Sequence, residues 1–353
     1  MKALKYIPLT ICLVSLFGCS QPEFAEDISS QPLPVEGQRF GNMSLVIDQQ
    51  ATEKIVDLLI VVDNSTSMAR DQEKLSREFS SFVSSISDAD YRIGVITTDT
   101  DSAGKEDAEG FHGNLAVVQS TGKRFIEKSD SNPSDLFSEL IKREETTNCS
   151  HSQNTCASFE ERPLYAIKMA IDKRDTVNRG FFREGADLGV IIISDEDETD
   201  FSDGTYYSAQ NLFDHFQGEF GVSKKMTSFN ISILEGDVAC YQSQAAETNS
   251  GTAVSYGIRT GELASLTGGF SVDICDQNFR IGLNLISNYV EKNLLPLKVA
   301  VNEKIIIESI IIVVTTPEGD IFDTTHVVEG GVLKISPLPP EGSRIDLKYS
   351  FEL

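Results

Sequence analysis

The sequence has no tryptophan, four histidines and a shortage of positive charge. His112, His151, His215 and His326 form no His-Glu-x-x-His pair, and no Gly-x-Ser-x-Gly elbow occurs. The motifs of zinc peptidases and serine hydrolases are therefore missing, and each histidine reads as a surface or packing residue. Gly122-Lys123 lacks a glycine five positions before Gly122, where Val117 stands, so the chain has no phosphate loop. Lys and Arg number 30 against 54 Asp and Glu, a net charge of −24 that nucleic-acid phosphates repel. Beyond the N-terminus no apolar run approaches the roughly 20 residues of a membrane span. The longest candidate, Ile305 to Val314, is broken by Glu308 and Ser309. Internal repeats, low-complexity blocks and Cys-x-x-Cys units are also lacking. What remains, 353 residues at 40% hydrophobic and 24% charged, suits one large domain with a small one, or two domains.

The N-terminus reads as an address. Lys2 and Lys5 precede the apolar stretch Ile7 to Phe17, the length of a secretory h-region. Leu16-Phe17-Gly18-Cys19-Ser20 resembles a bacterial lipobox, although Phe17 is bulkier than the usual occupant. That resemblance implies cleavage before Cys19, diacylation of its thiol and outer-membrane sorting, because Ser20 is not the Asp that retains lipoproteins in the inner membrane. Loss of Lys2 and Lys5 would take the net charge to −26. Four cysteines remain in the body, Cys149, Cys156, Cys240 and Cys275, an even number suited to two disulfides in an oxidising compartment. Of the three connectivities, Cys149–Cys156, closing a short polar loop, with Cys240–Cys275 is favoured over a four-thiolate metal site.

From Ser20 to about Gln38 the chain is polar and proline-bearing, as a tether would be. Strands and helices then alternate. Ile55 to Val62 is a continuous aliphatic run, expected of a strand buried on both faces. Leu75, Phe79, Phe82 and Ile86 repeat at helical spacing. Tyr91–Thr97, Leu188–Ile193 and Phe229–Leu234 read as further strands; helices are expected near Ser134–Arg143, Glu161–Lys173, Gln210–Phe220, Arg259–Leu266 and from Phe279 to Val290. The pattern predicts an α/β fold, a doubly wound and mostly parallel sheet with helices on both faces. After Pro296 the helical period disappears, turn clusters punctuate β-rich runs, and Ile345, Leu347, Tyr349 and Phe351 alternate. The expected organisation is a signal peptide at 1–18, a lipidated N-terminus and tether at 19–45, the α/β domain at 46–295 and a small C-terminal β module at 296–353.

Chemistry concentrates in Asp63-Asn64-Ser65-Thr66-Ser67-Met68, directly after the first aliphatic run. In open α/β sheets ligands bind beyond the carboxyl ends of strands, so Asp63, Ser65 and Ser67 would present three oxygens at one mouth. Such oxygens suit a hard divalent ion that keeps water among its ligands. The competing reading is that they cap the next helix. A second aliphatic run, Val190 to Ile193, ends at Ser194-Asp195.

With these motifs the sequence resembles the von Willebrand factor A domain family, whose metal-ion-dependent adhesion site uses Asp-x-Ser-x-Ser, a separate Thr and a later Asp. Gln72 and Leu75, Tyr91-Arg92-Ile93-Gly94-Val95, Ser194-Asp195-Glu196-Asp197, Gly268-Gly269 before Cys275, and Pro340-Glu341-Gly342-Ser343 resemble a bacterial lipoprotein subgroup of that family. The resemblance spans roughly Ile55 to Leu353 and implies a Rossmann-like fold and metal ligands at Asp63, Ser65, Ser67 and Asp195. It departs at the Thr, since no Gly-x-Thr-x-Thr-Gly loop occurs. Glu161 stands about where that Thr would be, with Glu160, Ser158 and Thr155 as neighbouring candidates. Glu161 at a helix N-terminus is the alternative. Asp195-Glu196-Asp197-Glu198-Thr199-Asp200 reads as a solvated loop with one ligand, and Asp99-Thr100-Asp101 fails as a calcium loop because Gly110 stands at its twelfth position. Thr97, Thr98 and Asp99 end a strand on the same face and are expected to line the mouth without touching metal.

The implied protein is a non-enzymatic, adhesin-like lipoprotein, anchored to the membrane by its lipid. Its divalent cation, Mg²⁺ or else Mn²⁺ or Ca²⁺, coordinates an acidic group on a protein or cell-envelope ligand. The alternatives are an envelope structural component that binds independently of metal, and a metal-assisted hydrolase.

Overall fold

The computed structural model describes residues 40–48, 55–87, 89–150, 156–158, 160–221, 224–247, 254–276, 279–294, 297–336, 339–340 and 342–352. The expected leader, Cys19 and most of the expected tether lie outside these residues. In chain order the first half holds β1 (Phe40–Asp48), β2 (Ile55–Val62), α1 (Ala69–Ser85), β3 (Asp90–Thr97), β4 (Ile126–Glu127), α2 (Pro133–Ile141), α3 (Glu144–Thr147) and α4 (Pro163–Asp172). There follow β5 (Asp187–Ile193), α5 (Ala209–Phe220), β6 (Met226–Ser232), α6 (Val238–Glu247), α7 (Ile258–Leu266), β7 (Ser271–Asp273) and α8 (Phe279–Tyr289). A turn of π-helix, Val290–Leu294, leads to β8 (Leu297–Ala300), β9 (Ile311–Thr315), β10 (Thr325–Glu329), β11 (Val332–Ser336) and β12 (Arg344–Glu352).

The aliphatic runs become the centre of a six-stranded sheet of order β4-β3-β2-β5-β6-β7, parallel except for the short edge strand β4. Counted from β2, this is the doubly wound order 3-2-1-4-5-6. Strand side chains alternate between faces, so β2 feeds two cores. Val56, Leu58, Ile60 and Val62 pack with Leu75, Phe79 and Phe82 of α1 and with Leu283 and Ile286 of α8. Leu59 and Val61 pack with Leu164 and Ile167 of α4, Leu212 of α5 and Leu263 of α7. Helices thus cover both faces, and the α/β fold expected from the sequence, a doubly wound and mostly parallel sheet, is present. Gly269 is required by close approach, because a Cβ there would meet the Ser228 carbonyl oxygen at 1.8 Å.

The rest of the chain forms two three-stranded antiparallel sheets, β1-β12-β9 and β10-β11-β8. They close over Leu297, Val314, Leu333, Ile335, Ile345, Leu347 and Tyr349. The expected alternation of β12 is correct. The boundary placed at 45/46 is not where the architecture divides, because it cuts through β1. All nine residues of β1 pair with β12, from Phe40↔Glu352 to Asp48↔Arg344. An edge strand read alone looks like linker; its partner lies at the other end of the chain. The β module is therefore built from both ends of the described chain, with the α/β domain between them.

Two further helices escaped the periodicity, the single turn α3 and the polar α6. The structure contains the favoured disulfides, Cys149–Cys156 and Cys240–Cys275, with sequence separations of 7 and 35. Loop-closure entropy makes the longer loop the more stabilising, at about 4 kcal/mol against about 2 kcal/mol for the shorter. Urea unfolding of the paired Cys→Ala variants should show the larger loss for Cys240/Cys275; equal or reversed losses would contradict it.

Candidate metal centre

β2 lies between β3 and β5 with all three strands parallel, so their carboxyl ends emerge side by side. Val62 is in register with Thr97 on one side and Ile193 on the other. The sheet continues one bond further on each side, from Asp63 N to the Ile193 carbonyl (2.9 Å) and from Thr98 N to the Val62 carbonyl (3.2 Å). Asp63 is consequently set between Thr98 and Ser194 before any side chain chooses a rotamer.

The loop after β2 turns on Asp63, whose Oδ1 accepts from Ser65 N at 2.7 Å. Its Oδ2 accepts from Ser194 Oγ at 2.6 Å. The Ser65 and Ser67 hydroxyls lie 2.8 Å apart, and Ser67 Oγ donates to Asp195 Oδ1 at 3.1 Å across 128 residues of sequence. Asp63, Ser65, Ser67 and Asp195 therefore form one connected set of oxygens. Asp195 Oδ2 is buried and accepts no hydrogen bond among the described residues. The capping alternative fails: Ser65 precedes the 3₁₀ turn Thr66–Met68 and Met68 precedes α1, and neither makes a side-chain cap bond.

Among the candidates for the family Thr, Glu161 is the one turned inward. It is 1% exposed and accepts a short hydrogen bond from the Thr98 hydroxyl. Its backbone bridges Asp99 and accepts from Thr199 N at 2.7 Å. Glu161 does not sit in the first turn of a helix, since α4 begins at Pro163 and Arg162 is its N-cap. Ser158 spends its hydroxyl on the Glu160 carbonyl, the Glu160 side chain is 40% exposed, and Thr155 lies outside the described residues.

The acidic stretch after β5 is not a solvated loop, contrary to expectation. Asp195 and Glu198 are buried. Glu198 accepts from Leu164 N and Tyr165 N at the start of α4, at 2.7 and 3.3 Å. Asp197 accepts from Ile258 N, Arg259 N and Thr260 N at the start of α7. Helix starts expose unpaired N–H groups and favour negative charge, so these two carboxylates are helix caps. Asp99 is likewise consumed locally, accepting from Asp101 N, Ser102 N, Ser102 Oγ and Ser158 N.

The site's electrostatics are one-sided. Burial pushes the Asp63 carboxyl above its ordinary range against the pull of its hydrogen bonds from Ser194 and Ser65. Glu161 and Asp195 are raised well above theirs, first by burial and then by the charge of Asp63. Glu196 is pushed up to about 9 by burial, then by Asp63, Asp195 and Glu160. No Lys or Arg figures among the leading influences on these four groups. Buried carboxylates without a basic partner hold either protons or a cation. The oxygens and the orphaned Asp195 Oδ2 suit a hard divalent ion. Asp63, Asp195 and Glu161 do not bring three donor atoms within 4.8 Å of one another. Among the described residues that spacing is met by Cys240, Asp273 and Cys275, whose two sulfurs are already joined.

Of the supporting residues, Thr98 was expected at the mouth, where it holds Glu161, while Ser194 and Thr146 were given no role of their own. Ser194 was signalled by adjacency to Asp195, while Thr98 had only its strand-end position. Gln72, already part of the motif, donates from Nε2 to the Asp63 carbonyl at 2.9 Å.

A scan against protein-family models finds no match, and no curated protein matches the chain significantly. Solved structures similar to it include a von Willebrand factor type A protein from Catenulispora acidiphila (13% identity, 90% of this chain and 62% of that one, TM-score 0.39). The pilus adhesin SpaC from Lactobacillus rhamnosus GG, in an open conformation, is 12% identical over 89% of this chain and 41% of its own, with TM-score 0.38. The manganese-loaded TRAP protein of Plasmodium vivax is 13% identical over 69% of this chain and 76% of its own, with TM-score 0.32. The chain spans about three-fifths of the first of these proteins and two-fifths of the second. Scores of this size fix neither ligand nor partner.

Stability should report the crowding of carboxyls directly. Their folded pKa values lie above the unfolded ones, so without metal the folded state holds protons that the unfolded chain releases. That contribution is present below about pH 4, the unfolded carboxyl range, and is lost as pH rises through the folded values, reaching about 9 at Glu196. In chelator, the urea midpoint should fall between pH 5 and pH 9, and Asp195→Asn should flatten the fall. A midpoint that rises over that range would contradict the assignment.

Proposed function

We propose that the protein binds a divalent cation at Asp63, Ser65, Ser67 and Asp195 and uses it to grip an acidic group on a protein or cell-envelope ligand. The observation that carries this reading is the buried Asp195 Oδ2, which among the described residues has no hydrogen-bond donor, in a cluster of carboxyls that no described basic side chain neutralises. Mg²⁺ is the favoured ion, with Mn²⁺ and Ca²⁺ as alternatives. Glu161, held by the Thr98 hydroxyl and facing the charge of Asp63, would be the further ligand in place of the family Thr.

The bound ion would supply an electrophile at a strand end. Asp63 and Asp195 fix its position, while the serine hydroxyls orient it without adding charge. The site lies at the mouth of the sheet, where a partner's carboxylate can approach. On a body of net charge −24, long-range attraction favours partners with basic surroundings around one acidic contact. Three nearby carboxylates, Glu198, Asp197 and Asp99, are committed to backbone hydrogen bonds and are poor bases, which favours binding over catalysis and leaves Glu196 and Glu160 as the candidates for a base.

The lipobox-like Leu16-Phe17-Gly18-Cys19 adds location to this reading: export, acylation at Cys19, and residence at the outer membrane on its surface or periplasmic face. Two disulfides in the body accord with an oxidising compartment.

Titration calorimetry should show one divalent ion per chain, with at least a tenfold loss in Asp63→Ala. Pull-down of envelope components should be lost in EDTA and in the same variant, with the far-ultraviolet spectrum unchanged. Absence of divalent uptake at millimolar concentration would end the proposal.

A further inference from the structure

α3 and the Cys149–Cys156 disulfide contribute none of the proposed ligands, yet they reach both sides of the site. On one side, the Thr146 hydroxyl donates to the Asn64 carbonyl at 2.9 Å. Gln72 Nε2 lies 2.9 Å from both Thr146 Oγ1 and the Asp63 carbonyl. The backbone carbonyls of two successive loop residues, Asp63 and Asn64, are thus tied to α3 directly or through one amide. Glu145 accepts from Asn64 Nδ2 at 3.1 Å and is fixed by Arg143 Nε at 2.8 Å, while Arg143 N donates to Gln72 Oε1 at 3.0 Å. All five residues, Asn64, Gln72, Arg143, Glu145 and Thr146, are buried. This is a closed polar network whose members depend on one another.

On the other side, the Cys156 carbonyl accepts from Lys105 Nζ at 2.6 Å and Ser158 N donates to Asp99 Oδ2 at 2.7 Å. Asp99 pairs through its backbone with Glu161. Cys149, two residues after α3, is bonded to Cys156, two residues before Ser158. The disulfide therefore links the support of the Asp63–Ser65 loop to the support of Glu161.

We infer that Thr146, with the Cys149–Cys156 clip behind it, is the positioning device of the metal loop, and that it sets divalent affinity without touching the ion. The inference rests on the metal reading above. The hydroxyls of Ser65 and Ser67 follow a backbone whose carbonyls Thr146 and Gln72 hold. Removing the Thr146 hydroxyl strands the Asn64 carbonyl and half of the Gln72 donor capacity, and the loop gains conformations that ion binding must then remove. Supporting residues of this kind alter metal affinity about 10- to 100-fold in other sites.

The test compares the full chain, Thr146→Ser, Thr146→Val and the Cys149→Ser/Cys156→Ser pair, with Mn²⁺ and Mg²⁺ as calorimetric probes. Thr146→Val and the cysteine pair should weaken binding about tenfold, and Thr146→Ser should stay within about twofold of the parent. In chelator, amide hydrogen exchange at residues 63–68 should accelerate in Thr146→Val and not in Thr146→Ser, with α5 and β6 unchanged. Parental affinity in Thr146→Val, or equal losses in the Ser and Val variants, would overturn the assignment. If the parent takes up no ion, the metal reading fails on its own. The exchange arm still judges Thr146, because unaltered protection at Ser65 in Thr146→Val would show that it positions nothing.

Discussion

Adjacent parallel strands force like charges together at this site. β2 and β5 are neighbours in register, so the residues just beyond them, Asp63 and Ser194-Asp195, have no independent choice of location. The loops between the strands can vary widely; the strand ends remain one interstrand spacing apart, roughly 5 Å. Two buried carboxylates at that spacing repel, and Glu161 and Glu196 add to the repulsion. A fold retains such a cluster at the expense of stability unless something positive occupies it. Electrostatic strain and the proposed metal site thus have a common origin in the doubly wound strand order.

Carboxylates of the same local sequence then take different roles according to what each meets. Along Asp195-Glu196-Asp197-Glu198, residues of near-identical chemistry divide between the oxygen cluster, its rim, the start of α7 and the start of α4. Glu198 and Asp197 receive backbone N–H groups, which accept negative charge without a counter-ion. Asp195 receives one serine hydroxyl, leaving its second oxygen unused. Donor supply, rather than acidity, separates the structural carboxylates from the available one.

That distinction also marks what could be read from the sequence. Runs such as Ile55–Val62 and the 4-3-4 spacing from Leu75 to Ile86 identify their elements because each carries its own periodic signal. Asp63, Ser65, Ser67 and Asp195 are legible because they follow such runs directly. The roles of Asp197 and Glu198 were hidden, since a cap is defined by the helix it meets, and the first helix N–H groups they accept lie 61 residues later and 34 residues earlier. β1 was hidden for the same reason, its partner β12 lying at the far end of the chain. Thr146 sits in a helix of one turn, too short for any period. Contacts that close over long sequence separations leave little trace in local pattern.

The captured N-terminal strand has a geometric consequence. β1 belongs to the β module, and that module meets the α/β domain at the amino end of β5, where Lys334 Nζ lies 3.6 Å from Asp187 Oδ1 with both side chains buried. Asp195 stands just past the opposite end of the same strand, whose seven residues span about 23 Å at the usual rise. The module and the oxygen cluster are therefore at opposite poles of the sheet. A lipid at Cys19 would lie about 20 residues before β1, and thus enter the fold at the module's pole. On the proposed anchoring, the tether joins the fold at the module's pole and so does not cover the mouth holding Asp63 and Asp195. A partner could then reach the ion without displacing the anchor. The separation follows from strand polarity: parallel strands place all their carboxyl ends on one side, so a module docked at their amino ends cannot obstruct them.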